Sequence, residues 1–168
     1  MFSLRAGTPA CLTVHDAEDS TISDAMQTVF PLETCSTLDW GGIEISLSYK
    51  YDLSMMADDI AQMIVALQAS PSGTFQVDWP SSGFPYHWTL KWDPSIVEIH
   101  AIARPEPGAE DLTGRESVQT RKSSFVAGWQ EVLRTIVSCL EASGYKDAQI
   151  AGLASLRQAA GRSATAPA

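Results

Sequence analysis

The sequence predicts an α+β domain in which an antiparallel β-sheet of four to six strands carries two long helices packed on one face. The first observation is the strict alternation of apolar and polar residues over 43–51, which is typical of a strand with one buried face. The second is that three more segments alternate in the same way, at 74–79, 87–92 and 96–103. The third is that these strands follow one another instead of alternating with helices, which favours antiparallel pairing.

The pattern is weaker before the first clear strand. It indicates a short strand at 10–14 and a short helix at 21–29. A strand near 33–38 can pair with 43–51 as a hairpin, because the two glycines between them suit a tight turn.

The end of the meander is less regular than its beginning. In 96–103 apolar residues occupy both alternating sets of positions, so we expect this strand to be covered on both faces. Segment 104–120 is polar and contains two prolines and two glycines, which predicts a long exposed loop.

Two long amphipathic helices are predicted. One begins near Ser54, which suits an N-cap, and Asp58 and Asp59 then lie near its positive end, where their charge stabilises the helix. Its apolar stripe consists of Met56, Ile60, Met63, Ile64 and Leu67. The other runs over 124–142, with Gly144 placed for a left-handed C-terminal cap. Its apolar stripe includes Trp129 and Ile136.

The remaining C-terminal residues predict a weaker helix over 148–160 and a disordered tail of small residues at 161–168. We therefore expect one domain over 1–160. A chain of 168 residues is long enough to bury a substantial core without disulfides or metals.

The charge of the chain favours a protein partner. The formal net charge is −9, and residues 1–112 hold four basic and sixteen acidic residues. Nucleic acids and anionic membranes are bound mainly through Lys and Arg, so we expect neither, and no run of residues is apolar enough to cross a bilayer. A basic protein is the complementary partner, although negative charge also simply keeps a protein soluble.

The three cysteines, Cys11, Cys35 and Cys139, show no CxxC spacing and have no histidine nearby in the sequence. We therefore expect reduced thiols, with neither a disulfide nor a zinc site. The N-terminal residues lack the continuous apolar stretch of a secretory signal, which predicts a cytoplasmic protein.

Catalytic chemistry has one weak candidate. Glu98 and His100 lie two residues apart in a predicted strand, so they share a face and could form an acid–base pair or two metal ligands. A hydrogen-bonded pair on the solvent side of the sheet is the favoured alternative, because the sequence identifies no third partner. We expect no enzyme activity, catalytic residue, metal or cofactor.

Partner contacts are predicted at two kinds of residue. Phe84 and Tyr86 lie in an unusually aromatic turn and are expected to be exposed anchors, with core packing as the equal alternative. Acidic residues in the long loop are the other candidates, and so is the acidic pair of the first long helix. These residues are Glu106, Glu110 and Asp111, and Asp58 and Asp59.

The chain resembles the small α+β immunity proteins of bacterial polymorphic and contact-dependent toxin systems. The resemblance covers residues 38–145 and lies in the order of the strand IEISLSYKYD, a Ser-capped helix, the segment DWPSSGFPYHWTLKWD and the late helix SFVAGWQEVLRTIVSCLEASGY. It implies a cytosolic, acidic, non-catalytic protein that occludes the active site of a cognate toxin. It assigns no contact residue, because such positions differ between families.

Two other functions remain open from the residues alone. A secretion-system adaptor or chaperone would also be acidic and would bind a transport segment of its partner. A small hydrolase or metal enzyme would be built around Glu98 and His100.

Overall fold

The computed structural model describes residues 1–105 and 110–161, so Glu106 and the predicted tail beyond Gly161 lie outside the described residues. In this part of the chain, seven strands, four α-helices and one short π-helix follow in chain order. They are β1 (Phe2–Arg5), α1 (Ile22–Val29), β2 (Cys35–Trp40), β3 (Ile43–Ser48), the π-helix (Tyr49–Leu53), α2 (Ser54–Ala69), β4 (Gly73–Asp78), β5 (Tyr86–Trp92), β6 (Ile96–Ala103), β7 (Ser117–Arg121), α3 (Lys122–Ala142) and α4 (Leu153–Ala159).

The predicted α+β class with antiparallel pairing is confirmed, but the described strands form two sheets instead of one. The first has the order β1-β2-β3 and the second the order β4-β5-β6-β7. The Trp40 indole of β2 donates a hydrogen bond to the carbonyl of Arg115, which lies just before β7. This bond ties the first sheet to the second.

The strand predicted over 43–51 ends early, at Ser48. The buried Asp52 carboxylate accepts a hydrogen bond from the Ser48 amide at 2.8 Å, and the Ser48 hydroxyl accepts one from the Tyr51 amide at 3.3 Å. These bonds turn the chain into the π-helix. Ser54 is therefore not an N-cap, because its hydroxyl donates to the Lys50 carbonyl within a continuous helical path.

The later strands agree with the predicted meander, with two corrections. β6 is covered on one face only, because Val97 and Ile99 are buried whereas Ile102 is exposed. The predicted long loop contains a strand, β7, which pairs with β6 from Ile96↔Arg121 to His100↔Ser117. Its sequence, SVQTR, has a single large apolar residue, so alternation could not reveal it.

The core is rich in indole rings. Trp40, Trp79, Trp88 and Trp129 are buried, with ring centroids 5.2 Å apart for Trp79 and Trp88 and 6.1 Å apart for Trp79 and Trp129. The predicted burial of Trp129 and Ile136 is confirmed. α3 therefore packs through the stripe that its sequence predicts.

The N-terminal residues correct two predictions. Residues 6–20, here called the N-terminal strap, contain no strand at 10–14 and run mostly exposed toward α1. Cys11 of the strap forms a disulfide with Cys139 of α3, with Cα atoms 5.5 Å apart, so these two thiols are not reduced. Cys35 is free. Sequence spacing could not show this bond, because its ends are separated by 128 residues.

The helix termini agree with the sequence at α3 and depart from it at α4. Gly144 has φ +93° after α3, as predicted, and α1 begins with a capping box of Thr21 and Asp24. α4 is shorter than predicted, because Gly152 with φ +88° precedes it. In the described part of the chain, no helix combines the length and apolarity needed to span a membrane.

Candidate partner-binding groove

The expected exposure of Phe84 and Tyr86 is wrong. Both side chains are about 1% exposed, and their rings pack 4.8 Å apart under the turn that precedes β5. The turn is folded inward because the Ser81 hydroxyl donates to the buried Asp52 carboxylate, and the Gly83 amide donates to Ser81 at 3.1 Å. Phe84 and Tyr86 are thus core residues, and no partner can reach them on this surface.

Tyr86 instead positions one of the predicted acidic contacts. Its hydroxyl donates to the backbone carbonyl of Glu110 at 2.9 Å, and burial raises the pKa of this phenol. The ring is buried while the hydroxyl fixes the chain above it. The structure therefore brings together two predicted site residues, Tyr86 and Glu110. Tyr86 supports the backbone of Glu110, a role that the sequence pattern did not indicate.

A shallow acidic groove of about 430 Å³ lies above this contact, and we call it the β6 groove. It is lined by Ala101, Ile102, Ala103, Glu110, Asp111, Leu112, Thr113 and Glu116. Bonds from Thr113 lower the pKa of Asp111, and the Gly114 amide, 2.8 Å away, lowers the pKa of Glu116. These two carboxylates are ionised and already hydrogen-bonded within the chain.

The second acidic pair, Asp58 and Asp59, does not lie in the first turn of its helix. α2 begins at Ser54 and continues directly from the π-helix, so the predicted stabilisation by the positive helix end is wrong. Asp58 instead lies at the rim of a groove of about 700 Å³ between α2 and α4, here called the α2–α4 groove. Its lining consists of Asp58, Ala61, Gln62, Val65, Ala66, Phe75, Gly152, Ser155 and Gln158.

Small residues allow the two helices to approach each other here. A Cβ atom on Gly152 would lie 3.3 Å from the Ile22 side chain and 3.4 Å from the Asp58 carboxylate, and its φ of +88° favours glycine as well. Ala61, Ala66 and Phe75 of β4 also line the groove. The result is an apolar groove with a carboxylate at its rim.

The carboxylates of Asp58 and Asp59 have no compensating cation in residues 1–105 and 110–161, where neither forms an ion pair or a side-chain hydrogen bond. Desolvation raises the pKa of both, and the charge of Asp58 raises that of Asp59 further. Arg157 of α4 is already bonded to Asp147 at 3.0 Å and to Glu141 at 2.9 Å. Asp58 is exposed and Asp59 half-buried, so the desolvation is modest, and the pair is unneutralised within these residues.

Exposed apolar residues accompany this pair on α2. Met55 and Val65 are each 48% exposed, whereas the stripe predicted for the core is buried throughout. The signal was present in the sequence, because both residues are apolar yet fall outside that stripe. Phe75 and Gly152 join the groove only through tertiary packing, so no local pattern could identify them.

Glu98 and His100 lie on the exposed face of β6 as predicted, but among the described residues they are not hydrogen-bonded to each other. The His100 ring bonds to the Ser117 hydroxyl at 2.9 Å on β7. Within the described residues, no group of three or more His, Cys, Asp or Glu side chains is placed to hold a metal ion.

Comparison with protein-family models, curated proteins and solved structures finds no match to this chain.

Proposed function

We propose that this protein is an immunity-type inhibitor that binds a basic effector domain of a bacterial toxin and covers its active site. The observation that carries the proposal is the Asp58 and Asp59 pair, which has no cation in the described residues and whose first member, the exposed Asp58, lines the largely apolar α2–α4 groove. The net charge of −9 and the resemblance to immunity proteins support the same proposal.

Carboxylates held in this way favour a partner that brings its own cation. Desolvation makes the ionised pair costly in the free protein, and an Arg or Lys placed beside it offsets that cost. Val65 and Phe75 provide apolar surface on which a partner side chain can be buried, which slows dissociation. A basic segment that also carries an apolar side chain fits this groove.

The β6 groove contributes in a different way. Asp111 and Glu116 are ionised and hydrogen-bonded within the chain, so they gain little from a new close contact. Their field still attracts a basic partner at a distance and speeds the encounter. Glu110 and Asp111 therefore act on the association rate in this proposal, and Asp58 and Asp59 act mainly on the lifetime of the complex.

The cytoplasmic location predicted from the sequence belongs to this proposal. The bond between Cys11 and Cys139 bears on it, because cytosolic thiols are normally kept reduced. In a cytoplasmic chain we expect these two cysteines to be held reduced and to form the bond only when the compartment becomes oxidising. Thiol alkylation at lysis followed by mass spectrometry checks this expectation.

The function is tested by binding to the toxin domain encoded beside this gene, measured by stopped flow at two ionic strengths. Two double variants remove the same charge: Asp58→Asn with Asp59→Asn, and Glu110→Gln with Asp111→Asn. The first should weaken affinity by about tenfold or more, mainly through faster dissociation. The second should lower the association rate and flatten its dependence on salt.

The results against the proposal are equally specific. If the neighbouring protein forms no complex with this chain, the immunity function is refuted. If both double variants lose affinity equally and only through association, the α2–α4 groove is not the contact surface. Val65→Ala provides a test of the groove without a change of charge, and it should speed dissociation.

A further inference from the structure

Residues 11–20 of the N-terminal strap are fastened to the C-terminal part of the chain at both ends of this stretch. At one end, Cys11 is bonded to Cys139 of α3. At the other, the Ser20 carbonyl accepts a hydrogen bond from the Ala151 amide at 3.0 Å, and Thr21 forms a parallel bridge with Ala151. The strap therefore spans from the end of α3 to the start of α4.

Between these ends the strap is held by polar contacts. The Gln149 side-chain amide donates to the carbonyls of Asp16 at 2.9 Å and Asp19 at 3.1 Å. The Tyr145 hydroxyl accepts from the Asp16 amide at 3.1 Å and donates to the Asp19 carboxylate. The Gln149–Asp16 bond is exposed and the other three are part-buried, and a typical hydrogen bond contributes only about 1 kcal/mol net to stability.

Apolar burial adds little at the Cys11 end. Leu12 and Val14, the two large apolar residues next to Cys11, are about half exposed. The Leu12 backbone bonds to Val29 and to the Ser143 hydroxyl, at 2.7 Å and 3.1 Å. The disulfide is thus the strongest restraint on this end of the strap.

The segment that the strap holds forms one wall of the α2–α4 groove. Gly152 directly follows Ala151, lines the groove and contacts Ile22, which follows the strap and Thr21. Loss of the strap would remove the Ser20 and Gln149 bonds that fix residues 149–151. The position of α4 against α2 would then be less well determined.

We propose that the bond between Cys11 and Cys139 is a redox switch for the α2–α4 groove: oxidation locks the strap and orders the α4 wall, and reduction releases both. The thiolate of an external dithiol attacks the sulfur of Cys11, which is less buried than Cys139, and Cys139 leaves as a thiolate. The second thiolate of the dithiol then displaces Cys11. The dithiol leaves as its own disulfide, and the protein has gained two electrons and, at neutral pH, two protons.

The switch is tested on the full chain without any partner, by hydrogen exchange in the oxidised state and after reduction with dithiothreitol. We expect amides of the strap and of residues 145–156 to exchange about tenfold faster or more after reduction, while β5 and β6 stay unchanged. The paired variant Cys11→Ser with Cys139→Ser should exchange like the reduced protein, with and without the reductant. Cys35→Ser, which removes the free thiol, should retain the full response.

Three results would overturn the switch. One is equal hydrogen exchange in the oxidised and reduced protein. Another is faster exchange throughout both sheets after reduction, which would indicate global destabilisation. A third is release of the strap while residues 149–156 stay protected, because the groove wall would then be independent of it. If the paired serine variant does not fold, reduction of the wild-type chain still decides.

The effect on binding rests on the proposed function, and the two are separable. We expect the oxidised chain to bind the toxin domain about tenfold more tightly than the reduced chain, because its groove is preorganised. If hydrogen exchange responds to reduction but the chain binds no toxin domain, the proposed function is refuted and the switch stands. If toxin affinity and hydrogen exchange are both the same in the oxidised and reduced states, the switch alone is refuted.

Discussion

Asp52 shows how one buried polar residue determines the local path of the chain. Its carboxylate accepts from the Ser48 amide on one oxygen and from the Ser81 hydroxyl on the other. The first bond ends β3, and the second fixes the turn that buries Phe84 and Tyr86. A residue that the alternation pattern treats only as a strand terminator thus connects two distant segments.

Gly83 is the most sensitive neighbour of this contact. A Cβ atom at Gly83 would overlap the Asp52 carboxylate, which its two bonds hold in place. We expect Gly83→Ala to lower the free energy of unfolding by about 1 to 3 kcal/mol, as overpacking does. Urea denaturation measures this loss. Ser82→Ala, at the exposed neighbouring position, is the control, and equal unfolding midpoints for the two variants would contradict the contact.

Trp129 has the same importance for the core that Asp52 has for the turn. It is fully buried between Trp79, Trp88 and Phe125. We expect Trp129→Ala to leave a large cavity and to cost about 3 to 5 kcal/mol in the free energy of unfolding. A melting temperature close to that of the wild type would contradict the placement of α3.

At the scale of elements, α2 carries both a structural face and a binding face. Its core stripe packs inward, and its other side presents Asp58, Asp59 and Val65. Because desolvation raises the pKa of both aspartates, the ionised pair lowers the stability of the folded state at neutral pH. Such a cost is expected where a surface is shaped for a partner.

This cost has a defined dependence on pH. When the pKa of an aspartate is higher in the folded state, its protonated form favours folding. This contribution is fully present below the unfolded-state pKa of about 3.9 and is lost as the pH rises through the folded-state pKa. Asp58→Asn with Asp59→Asn should therefore stabilise the protein at neutral pH, by at most about 1 kcal/mol because both groups still contact water. Urea unfolding at a series of pH values measures the gain. The gain should shrink toward zero below about pH 4. A double variant that is less stable than the wild type at neutral pH would contradict the prediction.

The elements that could be predicted are those whose own residues carry the signal. Periodicity placed α2, α3 and the strands β3 to β6, and it placed the buried side chains of α3. β1 alternates but is only four residues long, and β7 has a single large apolar residue, so both were missed; each depends on a neighbouring strand. The division into two sheets depends on tertiary contacts such as the bond from Trp40 to Arg115, which no local pattern contains.

The candidate site was predicted only in part, for a related reason. Asp58 and Asp59 were identified as candidates, but they were expected to stabilise the positive end of the helix because the π-helix before α2 could not be foreseen. Phe84 and Tyr86 have the composition of a binding loop, but their burial depends on the bond from Ser81 to Asp52, which no local pattern contains. Composition describes what a side chain can do, and packing determines whether it reaches the surface.

At the scale of the whole molecule, the disulfide joins the N-terminal strap to a helix near the other end of the chain. A link between residues 128 apart removes much freedom from the unfolded chain. We expect Cys11→Ser with Cys139→Ser to lower the free energy of unfolding by about 2 to 4 kcal/mol under oxidising conditions. Cys35→Ser is the matched control. A wild-type chain that is equally stable with and without reductant would contradict a native bond.

The indole cluster gives the molecule a built-in optical reporter. Within the described residues, the ring nitrogens of Trp79, Trp88 and Trp129 have no hydrogen-bond partner, and all three rings lie in apolar surroundings. Their fluorescence should therefore be emitted at short wavelength. Rings separated by 5 to 6 Å also exchange excitation energy and produce coupled bands in near-ultraviolet circular dichroism. Loss of packing in this core can consequently be followed without a label, separately from any movement of the strap.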